Sequence, residues 1–216
     1  MKSKTKKWIF VFAALGCGAL LVTSPGASEK GSMTENGSMM ESHAGTYEID
    51  SVHSSLGFAV KHLGISTTRG SFDNFAGSIK FDRDDYSSFS VQVTIQVDSI
   101  NTRNEGRDKH LKSADFFDAV TYPTITFKSN RLEKRGEGAV IVGDLTIRDV
   151  TKELTIPVTL SGPVQSPMGG EVIGIAAVIT INRQDYGVSW SKNLDSGGLV
   201  VADNVDLILE LEAFKK

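Results

Sequence analysis

From Thr46 onward, apolar residues recur at every second position, the period of a half-buried β-strand. Tyr47 and Ile49 alternate with polar neighbours, Leu56, Phe58 and Val60 with Gly57 and Ala59, and Ile79 and Phe81 with Ser78 and Lys80. Gly64, Gly70 and Gly77 mark turns or bends between these runs. Phe89, Val91, Val93, Ile95 and Val97 predict a longer strand whose other face carries Gln92, Thr94 and Gln96. The alternation resumes after Pro123 with Ile125 and Phe127, then Ile141, Leu145 and Ile147, then Leu154, Ile156, Val158 and Leu160. It ends with Val205, Leu207, Leu209 and Leu211. Val172 to Asn182 is apolar on both faces, which predicts a strand with core on one side and an additional layer on the other.

The period changes once, between Arg103 and Phe127. Leu111, Ala114 and Phe117 fall at helical spacing, Phe116 and Val120 widen the stripe, and Tyr122-Pro123 forbids continuation. The pattern therefore predicts an all-β domain: an extended antiparallel β-barrel of about eight strands with one short helix, the helix serving as lid or packing element. A closed barrel removes the exposed edges that so many strands create, and a two-sheet sandwich is the rival arrangement. A barrel of this size is either filled by its own side chains or holds one narrow ligand, and periodicity does not choose between them.

The first 28 residues follow a different logic. Lys2, Lys4, Lys6 and Lys7 precede an apolar run from Trp8 to Val22, then small and turn-forming residues to Ser28. This reads as a secretory signal peptide, since the run is shorter than the ~20 residues that span a bilayer comfortably. Residues 29–44, rich in Gly, Ser, Glu and Met without period, read as a flexible linker, and residues 45–216 as the folded domain. Cys17, the only cysteine, lies in Ala14-Leu15-Gly16-Cys17, which resembles a bacterial lipoprotein box. The expectation is an exported protein, periplasmic or extracellular, with membrane tethering through Cys17 as an alternative. The folded part then has no thiol for a disulfide, a nucleophile or a thiolate metal site. Removing the four leader lysines from 23 basic residues leaves 19 against 26 acidic ones, a net charge of −7. That sign disfavours nucleic acid and charge-driven attachment to anionic lipid.

No nucleophile elbow, phosphate loop, dinucleotide fingerprint or zincin motif occurs. No enzyme activity and no cofactor are therefore expected; acid–base chemistry by His110 with Asp108 or Asp115 is the weak exception. His53 and His62, nine apart, point to opposite faces of one uninterrupted strand, so no metal site is expected without a bulge between them.

Several short motifs occur in a fixed order: Asp50-Ser51-Val52-His53-Ser54-Ser55-Leu56-Gly57-Phe58 with Lys61-His62, Arg69-Gly70-Ser71-Phe72-Asp73, and His110-Leu111-Lys112-Ser113-Ala114-Asp115-Phe116-Phe117-Asp118 leading to Tyr122-Pro123. Gly143-Asp144-Leu145-Thr146-Ile147, Ile181-Asn182-Arg183-Gln184-Asp185-Tyr186-Gly187 and Trp190 follow. In order and spacing, over Gly45 to Phe214, they resemble the YceI-like family of bacterial exported lipid-binding proteins. The resemblance implies a lipocalin-like barrel whose elongated apolar channel takes a long-chain isoprenoid or related amphiphilic lipid, such as a quinone precursor. It implies transient membrane contact for ligand exchange, and it leaves a homodimer open.

Phe58, Val60, Phe72, Phe75, Phe81, Phe116, Phe117, Phe127 and Trp190 are the candidate channel lining, each also serviceable as plain core. Asn182 and Arg183 are candidates to hydrogen-bond a polar head group at the channel mouth, the guanidinium offering a fork of donors. His110 is the candidate head-group contact from the helix. Arg103, Arg107, Lys109 and Lys112 gather near it, with Glu105 and Asp108 interleaved. A ligand-free barrel acting as a stress or adhesion module stays open at this point, as does an enzyme acting on a lipid.

Overall fold

In the computed structural model, the described residues are 44–136, 138–195 and 197–216. The expected leader, Cys17 and all of the expected linker except Ala44 lie outside them. The strands are β1 (Gly45–Ile49), β2 (Ser55–His62), β3 (Ser66–Phe72), β4 (Phe75–Phe81), β5 (Ser90–Gln96), β6 (Ile100–Asn101), β7 (Thr124–Arg135), β8 (Gly138–Ile147), β9 (Val150–Gln165), β10 (Glu171–Asn182) and β11 (Val201–Lys215). One helix, α1 (Glu105–Lys112), lies between β6 and β7.

β1 continues into β2 through a kink, β3 into β4 across Asp73-Asn74, and β5 into β6 through a single 3-10 turn. The eleven segments are thus eight long strands, each paired antiparallel with its sequence neighbours. Pairing of Tyr47, Glu48 and Ile49 with Lys215, Phe214 and Ala213 closes the ring, and Val201 to Glu210 pair with β2 further along the same strand. The structure is an up-and-down barrel, and the sandwich alternative is set aside. Closure pairs the backbone edges that a sandwich of eight strands leaves open.

Local chemistry sets the turns. Arg148 and Asp149, with φ of 50° and 60°, form the two-residue connection of the β8–β9 hairpin, and two successive positive φ values match the right-handed twist of the strands. On β7 the register shifts between Ser129 and Arg131, and the Ser129 hydroxyl accepts the Val91 N–H at 2.8 Å, replacing a ladder bond.

The inward residues form two apolar clusters. One gathers Tyr47, Phe75, Ile79, Phe81, Phe89, Leu132, Val158, Ile173 and Ala213. The other, at the α1 side, gathers Phe72, Val97, Ile100, Phe116, Ile125, Ile147, Ile181, Tyr186 and Val188.

Two expectations are corrected. The outward face of β10 carries no added layer among the described residues, since Val178 is 63% exposed. Its apolar character comes from small residues, Gly174 and Ala176, rather than from a covering element. The strand that is buried on both faces is β8, where Val140 and Val142 stand opposite Glu133 and Arg131 of β7. The helix is also shorter than its stripe. It ends at Lys112, where Ser113 turns extended, so Phe116 and Phe117 lie in the turns that follow, with Ala114 exposed and Val120 94% exposed.

A cavity closed by the α1 segment

The barrel is not filled. A cavity of about 190 Å³ runs between the two clusters, more than ten times the roughly 10–15 Å³ that one water needs. Its wall is built from the alternation read in the sequence: Leu56, Phe58 and Val60 on β2, Val91, Val93 and Ile95 on β5, Ile125 and Phe127 on β7, and Val205 to Leu211 at every second position on β11. Phe58, Val60, Leu207, Leu209 and Leu211 are only half-buried although they face inward. Inward side chains that keep accessible surface border a void, whereas those of a filled core do not.

Two glycines aim the aromatic rings that narrow this space. A Cβ at Gly70 would come within 2.4 Å of Phe58 Cζ across the β2–β3 pair. One at Gly143 would come within 2.6 Å of both Phe127 Cζ and the Lys128 carbonyl oxygen. Each ring lies over a residue with no side chain, which is how two phenylalanines fit on a tightly curved wall.

The α1 segment covers part of the cavity with Leu111, Phe116 and Phe117. Asn104 caps the helix by accepting the Arg107 N–H at 2.9 Å, and Lys109, His110 and Lys112 stand in its last turn, where the dipole favours cations. Asp108 accepts the Thr102 N–H at 2.9 Å and its hydroxyl at 2.5 Å, while Arg107 donates to the Thr102 hydroxyl at 2.7 Å and carbonyl at 2.8 Å. These bonds pin the helix start to the end of β6. Arg148, from the β8–β9 turn, donates to the carbonyls of Phe116 at 2.9 Å and Gly187 at 2.6 Å. It thereby ties the α1 segment to the loop after β10.

The expected lining separates into two groups. Phe58, Val60, Phe72, Phe116, Phe117 and Phe127 border the cavity. Phe75 and Phe81 do not: both are buried in the far cluster, Phe81 packing edge-on to Tyr47 and tilted against Tyr86. Trp190 packs on Phe116 and His110 behind the wall.

The polar candidates are placed differently from the sequence expectation. His110 Nε2 donates to the Asp115 carboxylate at 2.9 Å and the ring stands edge-on to Phe116 and Trp190, outside the cavity wall. It is a corner post of the lid; Asp108, its other expected acid–base partner, is engaged by Thr102. Asn182 is exposed and caps the 3-10 turn Arg183–Tyr186 by accepting the Gln184 N–H. Arg183 does border the cavity, but its guanidinium has no donor left. Nε donates to Ala202 O, one terminal nitrogen to Val188 O and Trp190 O, and the other to Val201 O and Asp203 Oδ1. The Arg183 head-group contact is therefore replaced by a structural role: one buried cation, 5% exposed, gathers four carbonyls from two segments that would otherwise be hard to satisfy.

Arg148 and Tyr186 are residues that sequence reasoning left unassigned, and Arg107, read there only as one of the basic residues near His110, instead fastens the helix start to Thr102. Tyr186 forms part of the wall, is 1% exposed, and its hydroxyl has no hydrogen-bond partner among the described residues. Burial, with a smaller contribution from Asp185, pushes its pKa up to about 12. At the kink between β1 and β2, outside the cavity, His53 pairs with Asp50 at 2.8 Å, and Glu212 brings a third ligand-type group within 4.8 Å.

The same fold and sequence pattern occur in known proteins. A family model described as the YceI-like domain matches residues 47–213. A UPF0312 protein of Staphylococcus aureus is 40% identical over 160 residues, covering 74% of this chain and 91% of that protein. The crystal structure of the Campylobacter jejuni YCEI protein aligns with a TM-score of 0.63 at 34% identity, over 72% of this chain and 90% of that one. Burkholderia cenocepacia BcnA aligns with a TM-score of 0.67 at 27% identity, over 76% and 98%. A polyisoprenoid binding domain from Saccharophagus degradans aligns with a TM-score of 0.62 at 17% identity, over 79% and 98%, a likeness of fold alone. With a family model matching residues 47–213 and a relative 40% identical over 91% of its own length, the chain belongs to the YceI-like family.

Proposed function

We propose that this protein binds a long-chain isoprenoid or related amphiphilic lipid, such as an isoprenoid quinone or its precursor, in the barrel cavity, and that it sequesters or carries that lipid outside the cytoplasm. The observation that carries the reading is the cavity itself: a void in the barrel core bordered almost wholly by Leu, Ile, Val and Phe. The signal-like leader supports export, and the polyisoprenoid-binding domain with the same fold supports the ligand class.

Energetics define the task. At roughly 0.8 kcal/mol per buried methylene, several isoprene units leaving water would exceed the ceiling of about 18–21 kcal/mol seen for noncovalent affinities. The working competitor is thus the bilayer. Transfer of a tail from bilayer to cavity is nearly neutral, so exchange with membranes is reversible and selectivity rests on cavity shape and on polar contacts. The α1 segment, which contributes Leu111, Phe116 and Phe117 to the wall, is the gate in this mechanism. Organic extraction of the purified protein followed by mass spectrometry tests the reading. A stoichiometric long-chain lipid, or its uptake from vesicles, is the expected result; a barrel that is empty and unreceptive refutes it.

A further inference from the structure

The kink between β1 and β2 carries a cluster of side chains that lipid binding does not use. Asp50 and His53 flank the kink, and Glu212 stands across from them on β11, one residue before Ala213, which pairs with Ile49 in the seam that closes the ring. One ligand-type atom from each of the three lies within 4.8 Å of the other two. The backbone fixes this grouping. Asp50 N donates to Glu212 O at 2.9 Å, and the Ser54 hydroxyl accepts the Glu212 N–H at 2.9 Å while donating to the Glu212 carbonyl at 3.2 Å. Val52 N donates to Asp50 Oδ1 at 2.8 Å, which leaves Oδ2 for the His53 ring.

The hydrogen bond between His53 and Asp50 explains that pair but not Glu212. The Glu212 carboxylate has no hydrogen bond or ion pair among the described residues, and the lysines that follow it are committed elsewhere, Lys215 to Glu171 and Lys216 to Glu48. Two carboxylates thus share one imidazole. With the ring neutral they repel each other unless a cation joins them.

We propose that Asp50, His53 and Glu212 form a binding site for a divalent first-row transition ion such as zinc, which staples the β1–β2 kink to β11 at the closing seam of the barrel. Two carboxylates balance the 2+ charge, and the nitrogen donor selects zinc-like ions over magnesium and calcium, which take oxygen ligands. Three protein ligands leave a fourth position for water. A tetrahedral ion with bonds of about 2.0–2.2 Å sets its donor atoms roughly 3.3–3.6 Å apart, so the side chains close by about 1 Å. His53, 63% exposed, has room to swing that far while the backbone stays in place. Nδ1 gives up its proton to solvent and offers its lone pair to the ion. Along the sequence the candidate partner of His53 is His62; the fold supplies Glu212 instead. None of the three residues borders the cavity, so the site stands or falls independently of lipid binding.

The test uses the full chain, stripped with EDTA, dialysed and titrated with zinc chloride by isothermal calorimetry. Affinity should fall about tenfold or more in His53→Gln and in Glu212→Gln alike, both checked for folding by circular dichroism. Zinc should also raise the thermal midpoint of the wild-type protein by several degrees, an effect that both variants lose and that magnesium and calcium do not produce. In NMR spectra of the wild-type protein the His53 ring resonances should move with zinc while those of His62 and His110 stay, which locates the ion. Absence of zinc binding overturns the proposal, as does an affinity unchanged by His53→Gln, which places the ion elsewhere on the chain. Affinity lost in His53→Gln but kept in Glu212→Gln overturns the three-ligand site. An equal response to magnesium overturns the assigned class of ion.

Discussion

Replacing Arg183 with alanine distinguishes a guanidinium that holds the fold from one that holds a ligand. The side chain is 5% exposed and bridges the carbonyls of Val188, Trp190, Val201 and Ala202 with Asp203. Its removal leaves the Val188 carbonyl, the most enclosed of these acceptors, dry at about 1–3 kcal/mol. The ion pair adds little, because Asp203 is 36% exposed and rehydrates, so about 1 kcal/mol is the ceiling there. Loss of the buried methylene stem adds roughly 1–2 kcal/mol. The combined loss is about 2–6 kcal/mol, bracketing the range for removing one partner of a buried ion pair. With a urea dependence of roughly 2 kcal/mol per molar for a domain of this size, the unfolding midpoint should fall by about 1–3 M. Urea melts followed by far-UV circular dichroism measure this directly. Lipid affinity at a urea-free temperature well below the transition should change little for an amphiphile and a hydrocarbon alike. An unchanged midpoint together with selectively weakened amphiphile binding would refute the reasoning and return Arg183 to the head group.

Further predictions probe the wall, the lid and the kink. Phe58→Asp places a carboxylate in the cavity wall and should abolish lipid uptake without unfolding the barrel; uptake equal to the unmodified protein's would show that β2 does not face the ligand. Gly143→Ala should destabilise by roughly 1–3 kcal/mol in chemical denaturation, since the added Cβ meets the Lys128 backbone as well as Phe127. Gly70→Ala meets only side chains, Phe58 and Thr102, so it should cost less stability and instead push the Phe58 ring, lowering lipid capacity; the two effects are read side by side by melts and by extracted lipid. Arg148→Ala unties Phe116 from Gly187 and should speed lipid exchange with vesicles, measured by stopped-flow fluorescence, while equilibrium affinity moves less. At the kink, the hydrogen bond that the His53 ring donates to Asp50 raises the His53 pKa, and the same bond lowers that of Asp50. His53 thus contributes stability that is complete below its unfolded value near ~6.5 and is lost as pH rises through its higher folded value. Asp50 contributes stability present above its unfolded value and lost as pH falls through its lower folded one. NMR titration of His53 should return toward ~6.5 in Asp50→Asn, with a shift that shrinks in high salt because His53 is exposed and Asp50 partly so.

The fold was legible because a barrel is written in a two-residue period. Val91, Val93 and Ile95, or Leu207, Leu209 and Leu211, name their own inward face, and a closed ring is the arrangement that leaves none of eight strands with an open edge. The helix was legible in place but not in length, since helical spacing continues through Phe117 while the chain has already turned at Ser113. Alternation identifies an inward residue without its height along the barrel. Phe58 and Phe81 have the same local pattern, yet one borders the void and the other fills the far cluster.

What the sequence determined by itself is the set of apolar faces, the single interruption near residue 103, and an order of motifs found along the YceI-like family, because these depend on neighbours within a few residues. Only the tertiary structure decided the chemistry of the polar groups. Asn182-Arg183-Gln184-Asp185-Tyr186 reads as a polar turn with an arginine free to meet a ligand. In three dimensions Val201, Ala202 and Asp203 return to take Nε and one terminal nitrogen of that arginine, Val188 and Trp190 take the other, and the tyrosine three residues on is buried with its hydroxyl unpaired among the described residues. Whether a donor is spent or available is set by how the following loop folds back and by contacts 18 to 20 residues away in sequence, and no local pattern carries that information.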